Sequence, residues 1–374
     1  MYTAAITGTG VFTPSETITN AELVEAYNAY ADRINAENAE AIAAGSFTAL
    51  PQSSEEFIFK ASGIEQRYVL DKKGILDPEI MYPQLRQRDD SEPGIMAEIA
   101  LDAAKKALKQ AGKTAEDVDL VICAASNMER AYPAVAIEIQ DLLGIKGFAF
   151  DMNVACSSAT FGLQQASDMI KSGSARKVLM VNPEITSGHL EWRDRDCHFI
   201  FGDACTAIVV ERMDEAKSDH VYEVVGTNLK TVFSNNIRNN FGFLNRCDES
   251  GQGNPDKLFI QQGRKVFKEV VPMVASIIGD HLQENNLSPD QLKRMWLHQA
   301  NLSMNKLISK KVLGRDPSSL EAPVILDEYA NTSSAGSIIA YHKHKEDIQE
   351  GDIGVICSFG AGYSVGSILL RKCS

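Results

Sequence analysis

Short apolar runs alternate along the chain with stretches whose apolar residues recur every three or four positions. That alternation predicts strands separated by amphipathic helices, an α/β protein. The run Asp119–Ala125 (DLVICAA) is apolar on successive residues, as a strand buried on both faces must be. Met1–Gly8, Phe148–Val154, Lys177–Val181 and Ala204–Val210 read as further strands. The first is expected to close in a glycine turn, and the last to follow the turn Phe201-Gly202-Asp203. Helices are predicted over Pro93–Gly112, Ala134–Leu143 and Ser158–Ser172. In the first of these, Ile95, Ile99, Ala103 and Leu108 keep helical spacing, and Gly112 stands where a left-handed C-terminal cap belongs.

The second half replays the first. DLVICAAS finds an echo in RMWLHQAN, NVACSSATFG around Cys156 in EYANTSSAGS around Asn331, and FGDACTAIVV in FGAGYSVGSILL. Three echoes in order predict duplication, with one half over residues 1–220 and the other over 221–374. Two stretches fall outside it: residues 28–52, Ala/Glu/Asn-rich and helical in pattern, and 71–94, loop-like with three prolines. They read either as surface decoration or as caps over a substrate. Phe233–Asp256 reads as a further polar loop.

Charge and cysteine usage narrow the function. The 374 residues carry 37 Lys+Arg and 50 Asp+Glu, a net charge of −13. General binding to nucleic acid or an anionic membrane is not expected of such a chain. Seven cysteines without a CxxC pair argue against a disulfide framework or a zinc ribbon. The start MYTAAITGTG has no basic residue and no long apolar run, and no window has the roughly 18 apolar residues of a membrane span. A soluble cytoplasmic protein is expected.

Three residues stand where strands give way to small residues. Cys156 lies between an apolar strand and a helix start, where the helix dipole favours thiolate and backbone N–H groups can receive an oxyanion. The bland alternative is a buried structural cysteine. His298 ends the strand Met295-Trp296-Leu297, placed to donate or accept in a cleft, against a satisfied core histidine. The other six histidines sit in charged or surface-like contexts, and no metal site is expected. Asn331 occupies the second-half position that echoes Cys156; by itself it reads as an N-cap for a helix over Ser333–His344. The run Phe359-Gly360-Ala361-Gly362 is a glycine turn that can bring a backbone N–H to a ligand, and lacks the spacing of a dinucleotide fingerprint.

At NVACSSA, HQAN, ANTSSAG and FGAGYSVGS the sequence resembles the β-ketoacyl-[acyl carrier protein] synthase III family of thiolase-fold condensing enzymes. GIEQRYV, AYPAVAIEIQDLLGIKG, FIFGDACTA and QGRKVFK extend the resemblance over most of the chain. It implies a thiolase-like, duplicated αβαβα body, usually a homodimer. It also implies a Cys156-His298-Asn331 triad and an oxyanion hole from the N–H groups of Cys156 and Ala361. Acyl-CoA and malonyl-acyl carrier protein would be the substrates, with no metal or organic redox cofactor. A decarboxylating Claisen condensation feeding fatty-acid synthesis follows from it. A related condensing enzyme of secondary metabolism, or an acyl-carrier-binding scaffold, stays open beside it.

The departures set further expectations. Ala361 stands where the family has a third glycine, and a backbone donor survives. Tyr132 takes the place of a Phe that crosses the dimer interface to shape the acyl pocket, with Phe161, Phe199 and Phe201 as other lining candidates. Tyr132 argues against the relatives that join two fatty acyl chains, although Glu129 is near in sequence. Phe57 takes the place of an adenine-stacking Trp, and Ser303 that of a carrier-contacting Arg. Arg264, Lys265 and Lys268 on one predicted helix, and Lys306, Lys310 and Lys311 on another, form a candidate patch for CoA or the acidic carrier.

Overall fold

A computed structural model describes residues 2–89, 91–239, 247 and 258–373. Most of the Phe233–Asp256 stretch therefore lies outside the described residues. Among these residues no helix is long and apolar enough to cross a membrane.

Nine strands form one sheet. From the first half come β1 (Ala4–Phe12), β2 (Leu120–Ala124), β3 (Phe148–Met152), β4 (Lys177–Glu184) and β5 (Ala204–Arg212). The second half adds β6 (Tyr222–Ser234), β7 (Leu292–Leu297), β8 (Ile353–Gly360) and β9 (Gly362–Lys372). The spatial order of the first set is β1-β5-β4-β2-β3, and that of the second is β6-β9-β8-β7. The senses repeat too. β1–β5 and β5–β4 are antiparallel and β4–β2 parallel; β6–β9 and β9–β8 are antiparallel and β8–β7 parallel. β1 and β6 join the two sets through Ala5↔Glu223 and Ile6↔Tyr222.

The alternation of side chains sorts the helices into layers. Val121 and Cys123 of β2 face α3 (Ile95–Ala111) and α4 (Val135–Leu143) on one outer side. Leu120, Ile122 and Ala124 face a middle layer made by α5 (Ser158–Ser172) and α8 (Ala335–Lys343). That layer also packs on Trp296, Ile356 and Ile368 of the second half. The opposite faces of β7–β9 bury against α6 (Gly263–Glu284) and α7 (Leu302–Leu313). The result is the αβαβα sandwich, with both central helices rising from the loops that carry Cys156 and Asn331.

The expected glycine turn after Met1–Gly8 is not formed: β1 runs through Gly8 and Gly10 to Phe12. A Cβ at Gly8 would stand 2.3 Å from the Ala107 carbonyl oxygen, and one at Gly10 2.1 Å from that of Ala103. The glycines are there so that α3 can lie against the strand, not to break it.

The stretch 28–52 is also differently built. Its helix α1 (Asn20–Glu37) begins before the stretch, at a Thr19/Glu22 capping box. A short helix at Ala39–Ala43 follows, and the chain then returns as an extended strap. The Asn35 amide donates to Leu50 O (2.9 Å) and accepts from Leu50 N (2.8 Å). Asn28 does the same with Ser53 (3.2 and 2.8 Å). Each side chain thus satisfies both backbone groups of a strap residue, as a strand neighbour would. Leu23, Tyr27 and Ala31 of α1 share a core cluster with Trp192, Phe199 and Phe201. The stretch 71–94 is loop-like as expected, apart from a short helix at Lys72–Leu76.

Candidate active site

Cys156, His298 and Asn331 line one cavity of about 460 Å³. Cys156 and His298 follow strand ends, and Asn331 follows the short helix Leu326–Tyr329. β3 leads to Cys156, whose neighbours Ser157 and Ser158 open α5. β7 ends one residue before His298, whose N–H donates to Cys357 O of β8 (2.8 Å). Asn331 is held against the Ile200–Gly202 segment: its N–H donates to Ile200 O (3.0 Å) and its carbonyl accepts from Gly202 N (3.1 Å). Ala155 and Ala330, the residues before Cys156 and Asn331, both have positive φ (48° and 55°). The two loops thus share this backbone feature, and they diverge after it: Ser158 opens α5, whereas its counterpart Ser333 has φ +50° and α8 starts at Ala335.

Asn331 is not the N-cap of the following helix, which starts at Ala335 behind Ser334. Its Oδ1 accepts from Ser333 N (2.9 Å). With the oxygen so engaged, the NH2 group is the part left to face the cavity. His298 is 2% exposed and stands edge-on to Phe359, ring centroids 5.2 Å apart. Burial pushes its pKa down to about 4, against a smaller upward pull from the main chain of Ser333, so the ring is neutral near pH 7. A neutral imidazole can donate from one nitrogen.

The resting state of Cys156 differs from the thiolate expected of a helix start. Burial pushes its pKa up to about 11, partly offset by a hydrogen bond from the Ser333 hydroxyl (Oγ to Sγ 3.4 Å). Desolvation is the largest influence on this thiol. Gly360 packs on the cysteine: a Cβ there would stand 2.7 Å from Cys156 Cβ. Ala361 follows at the turn between β8 and β9, and its carbonyl accepts from Ser364 Oγ (2.8 Å).

Exposure gives the cavity a direction. Its outer lining includes the exposed Asp196, Gln261 and Arg264, and its floor holds buried His298, Asn331 and Phe359. Phe199 and Phe201 form one wall, and Phe259, Phe267 and Met304 line it too. Phe201 thus lines this cavity. Tyr132 is 83% exposed and lies outside the lining of its own chain's cavity, as a side chain that reaches across to a partner's pocket does in one chain; Phe161 also lies outside that lining. Glu129 is engaged elsewhere, accepting from the N–H groups of Ile95 and Met96 (3.2 and 3.0 Å) as the cap of α3.

Phe57 sits on α2 (Glu55–Ser62), whose Ala61 and Ser62 reach the cavity. The Arg195 guanidinium lies 3.8 Å from the Phe57 ring centroid, held there by Gln52 O of the strap (2.7 Å). Arg264, Lys265 and Lys268 are exposed on α6, and Lys306, Lys310 and Lys311 on α7. The two helices pack side by side. Lys310 is paired with Asp316 (3.0 Å).

The sequence reading places six histidines in surface-like contexts; His198 and His281 are buried. His198 stacks on Tyr27 (centroids 4.7 Å) and meets Ser53 Oγ (3.1 Å), so burial drives its pKa down to about 3. Glu184, which no motif flagged, is buried between the halves. It accepts from N and Oγ of both Ser126 and Ser334, and burial still lifts its pKa to about 7.

A five-layer duplicated body with a cysteine, an imidazole and an amide on one cavity floor defines a thiolase-like condensing acyltransferase. Residues 150–229 match the family model for 3-oxoacyl-[acyl-carrier-protein (ACP)] synthase III, and residues 282–372 match its C-terminal model. The chain is 60% identical to a beta-ketodecanoyl-[acyl-carrier-protein] synthase of Pseudomonas aeruginosa over 349 residues, 93% of this chain and 100% of the relative. It is 30% identical to the beta-ketoacyl-[acyl-carrier-protein] synthase III of Granulibacter bethesdensis, over 99% and 100% of the two chains. The crystal structure of 3-oxoacyl-[acyl-carrier-protein] synthase III from Aquifex aeolicus superposes with a TM-score of 0.76 at 26% identity, covering 98% and 99%. The chain belongs to the β-ketoacyl-[acyl carrier protein] synthase III family, whose members are condensing enzymes of fatty-acid synthesis.

Proposed function

We propose that this chain condenses a medium-chain acyl-CoA primer with malonyl-acyl carrier protein. The observation that carries the reading is the meeting of Cys156, His298 and Asn331 in one cavity open at one end. The Cys156 sulfur attacks the primer thioester, its proton leaves with the CoA thiol, and the acyl group stays on the enzyme. The N–H groups of Cys156 and Ala361 receive the oxyanion. When the malonyl group loses CO2, the electron pair of the broken C–C bond moves into an enolate. The neutral His298 ring and the Asn331 NH2 group donate to its oxygen. The carbanion then attacks the acyl carbonyl, and the Cys156 thiolate departs. Both donors are uncharged, so neither demands a proton transfer at this step.

The P. aeruginosa relative is named for a ten-carbon β-ketoacyl product. A two-carbon extension makes that product from an eight-carbon primer, and we extend this primer length to the present chain. At the mouth, the Phe57–Arg195 stack offers a flat cation–π platform to the adenine of CoA. The exposed cations of α6 and α7 give an otherwise acidic enzyme a positive face for the acidic carrier.

The edge of the sheet supports a homodimer. β3 is an outermost strand, and Phe148 on it is 45% exposed. Ile137 and Leu142 of the neighbouring α4 are 47% and 40% exposed, and Tyr132 leads into that helix. An apolar edge of this kind is normally covered, and pairing with a second copy of itself covers it.

Intact-protein mass after mixing with acyl-CoAs of graded length tests the reading. A Cys156-dependent mass gain, largest for octanoyl-CoA and discharged by malonyl-carrier protein, is expected. His298→Ala should leave that gain and abolish the discharge. No gain with any acyl-CoA, or equal loss of both half-reactions in His298→Ala, would overturn it.

A further inference from the structure

Ser333 meets all three residues of the proposed triad. Its hydroxyl donates to Cys156 Sγ (3.4 Å), its N–H donates to Asn331 Oδ1 (2.9 Å), and its main chain pulls on the His298 ring. It is 2% exposed. Its φ is +50°, in the left-handed region that a non-glycine residue enters at a cost of order 1 kcal/mol or more. That strain has an identifiable return. A right-handed φ here would swing Cβ, and with it the hydroxyl, away from Cys156 Sγ, and glycine, the residue the conformation favours, would lack the hydroxyl.

The hydroxyl matters because the sulfur has few other donors. The N–H groups of Ser157 and Ser158, at the start of α5, already bond to Val154 O and Ala155 O (3.0 and 3.1 Å). Ser158 Oγ is turned to Ala155 O (2.7 Å), and Ser157 Oγ to Ser364 O (2.9 Å). Among the described residues, the side-chain donor bonded to Sγ is that of Ser333. It arrives from the half of the molecule that does not carry the cysteine.

We propose that Ser333 is a fourth catalytic residue, whose hydroxyl stabilises the Cys156 thiolate while its main chain aligns Asn331. The inference rests on Cys156 being the nucleophile of the proposed condensation. A hydrogen bond to a charged group is stronger than one to its neutral form, so this donor favours thiolate over thiol. It counters part of the burial that raises the Cys156 pKa.

The test uses the full chain with Ser333→Ala and Ser333→Gly, the glycine variant suiting the positive φ and guarding against misfolding. Two electrophiles report on the sulfur: iodoacetamide, followed by peptide mass at Cys156, and octanoyl-CoA, followed by single-turnover intact mass. Both rates are expected to fall by roughly tenfold at constant pH, the scale of one hydrogen bond to a charged group. The half-saturating octanoyl-CoA concentration should stay the same. Unchanged iodoacetamide rates in both variants would overturn the proposal. So would a raised half-saturating concentration with undiminished maximal rate, which marks a residue that only shapes the site. Iodoacetamide needs no acyl carrier or CoA. Failure of the condensing reading would therefore appear in the octanoyl-CoA experiment with the unmodified chain, and leave the alkylation result to decide on Ser333.

Discussion

A buried imidazole stays neutral because water is missing, and this chain uses the same device in its core and in its site. His198 and His298 both have pKa values depressed by burial, to about 3 and about 4. For His198 the sign is fixed by the unfolded chain, whose histidines bind a proton below about pH 6.5. Between that pH and about 3 the unfolded state holds the extra proton, so stability rises with pH and is lost on acidification. Glu184, raised to about 7, works in the opposite direction over its own range. Its contribution cancels when His198→Gln is compared with the parent. Urea unfolding between pH 5 and 6 should show the parent losing about 1.4 kcal/mol per pH unit more than the variant. At this scale the sequence announced the residues that follow apolar strands, which is why Cys156 and His298 were legible. Ser333 was not: three hydroxyl residues in a row, Thr332-Ser333-Ser334, look alike until φ and partners are known. Its position two residues after Asn331, the spacing of an Asx turn, is the one signal that points to it.

Elements were legible where hydrophobic periodicity is strong and misread where close packing removes side chains. The helix over Ile95–Ala111 followed from its apolar spacing and Gly112 cap, whereas Gly8 and Gly10 read as punctuation because their partner helix is remote in sequence. The distinction has a measurable consequence. In a turn, Gly10→Ala would be tolerated or mildly stabilising. Within β1 the added methyl group meets the Ala103 carbonyl, and α3 must lift from the sheet. Thermal unfolding should show Gly10→Ala destabilised by roughly 1–3 kcal/mol, the usual cost of overpacking. The strap after α1 was illegible for another reason. Side-chain amides of Asn28 and Asn35 do the bonding that a strand would, and they leave no alternating pattern behind. Through Gln52 and Ser53 this strap reaches Arg195 and His198, and so braces the segment that continues into Phe199 and Phe201.

For the molecule as a whole, duplication was written in three echoes, and strand order and sense carry it into space. What a single chain does with its sheet edge was less plain, because an exposed Phe148 gains meaning only when β3 is seen to be outermost. Sedimentation of Phe148→Glu should give a lighter species than the parent if a second copy covers that edge; identical sedimentation would remove the homodimer from the proposal. The pairing of Phe201 with Asn331 reaches further. One wall of the channel and the amide on its floor are clamped by two backbone hydrogen bonds, and move as one piece. Attempts to retune chain length by substituting Phe201 will shift that amide as well. Altered chain preference obtained there should come with slower malonyl decarboxylation, whereas a change at Met304, a lining residue carried by α7, escapes that linkage. Directed evolution of this scaffold would then favour that position first.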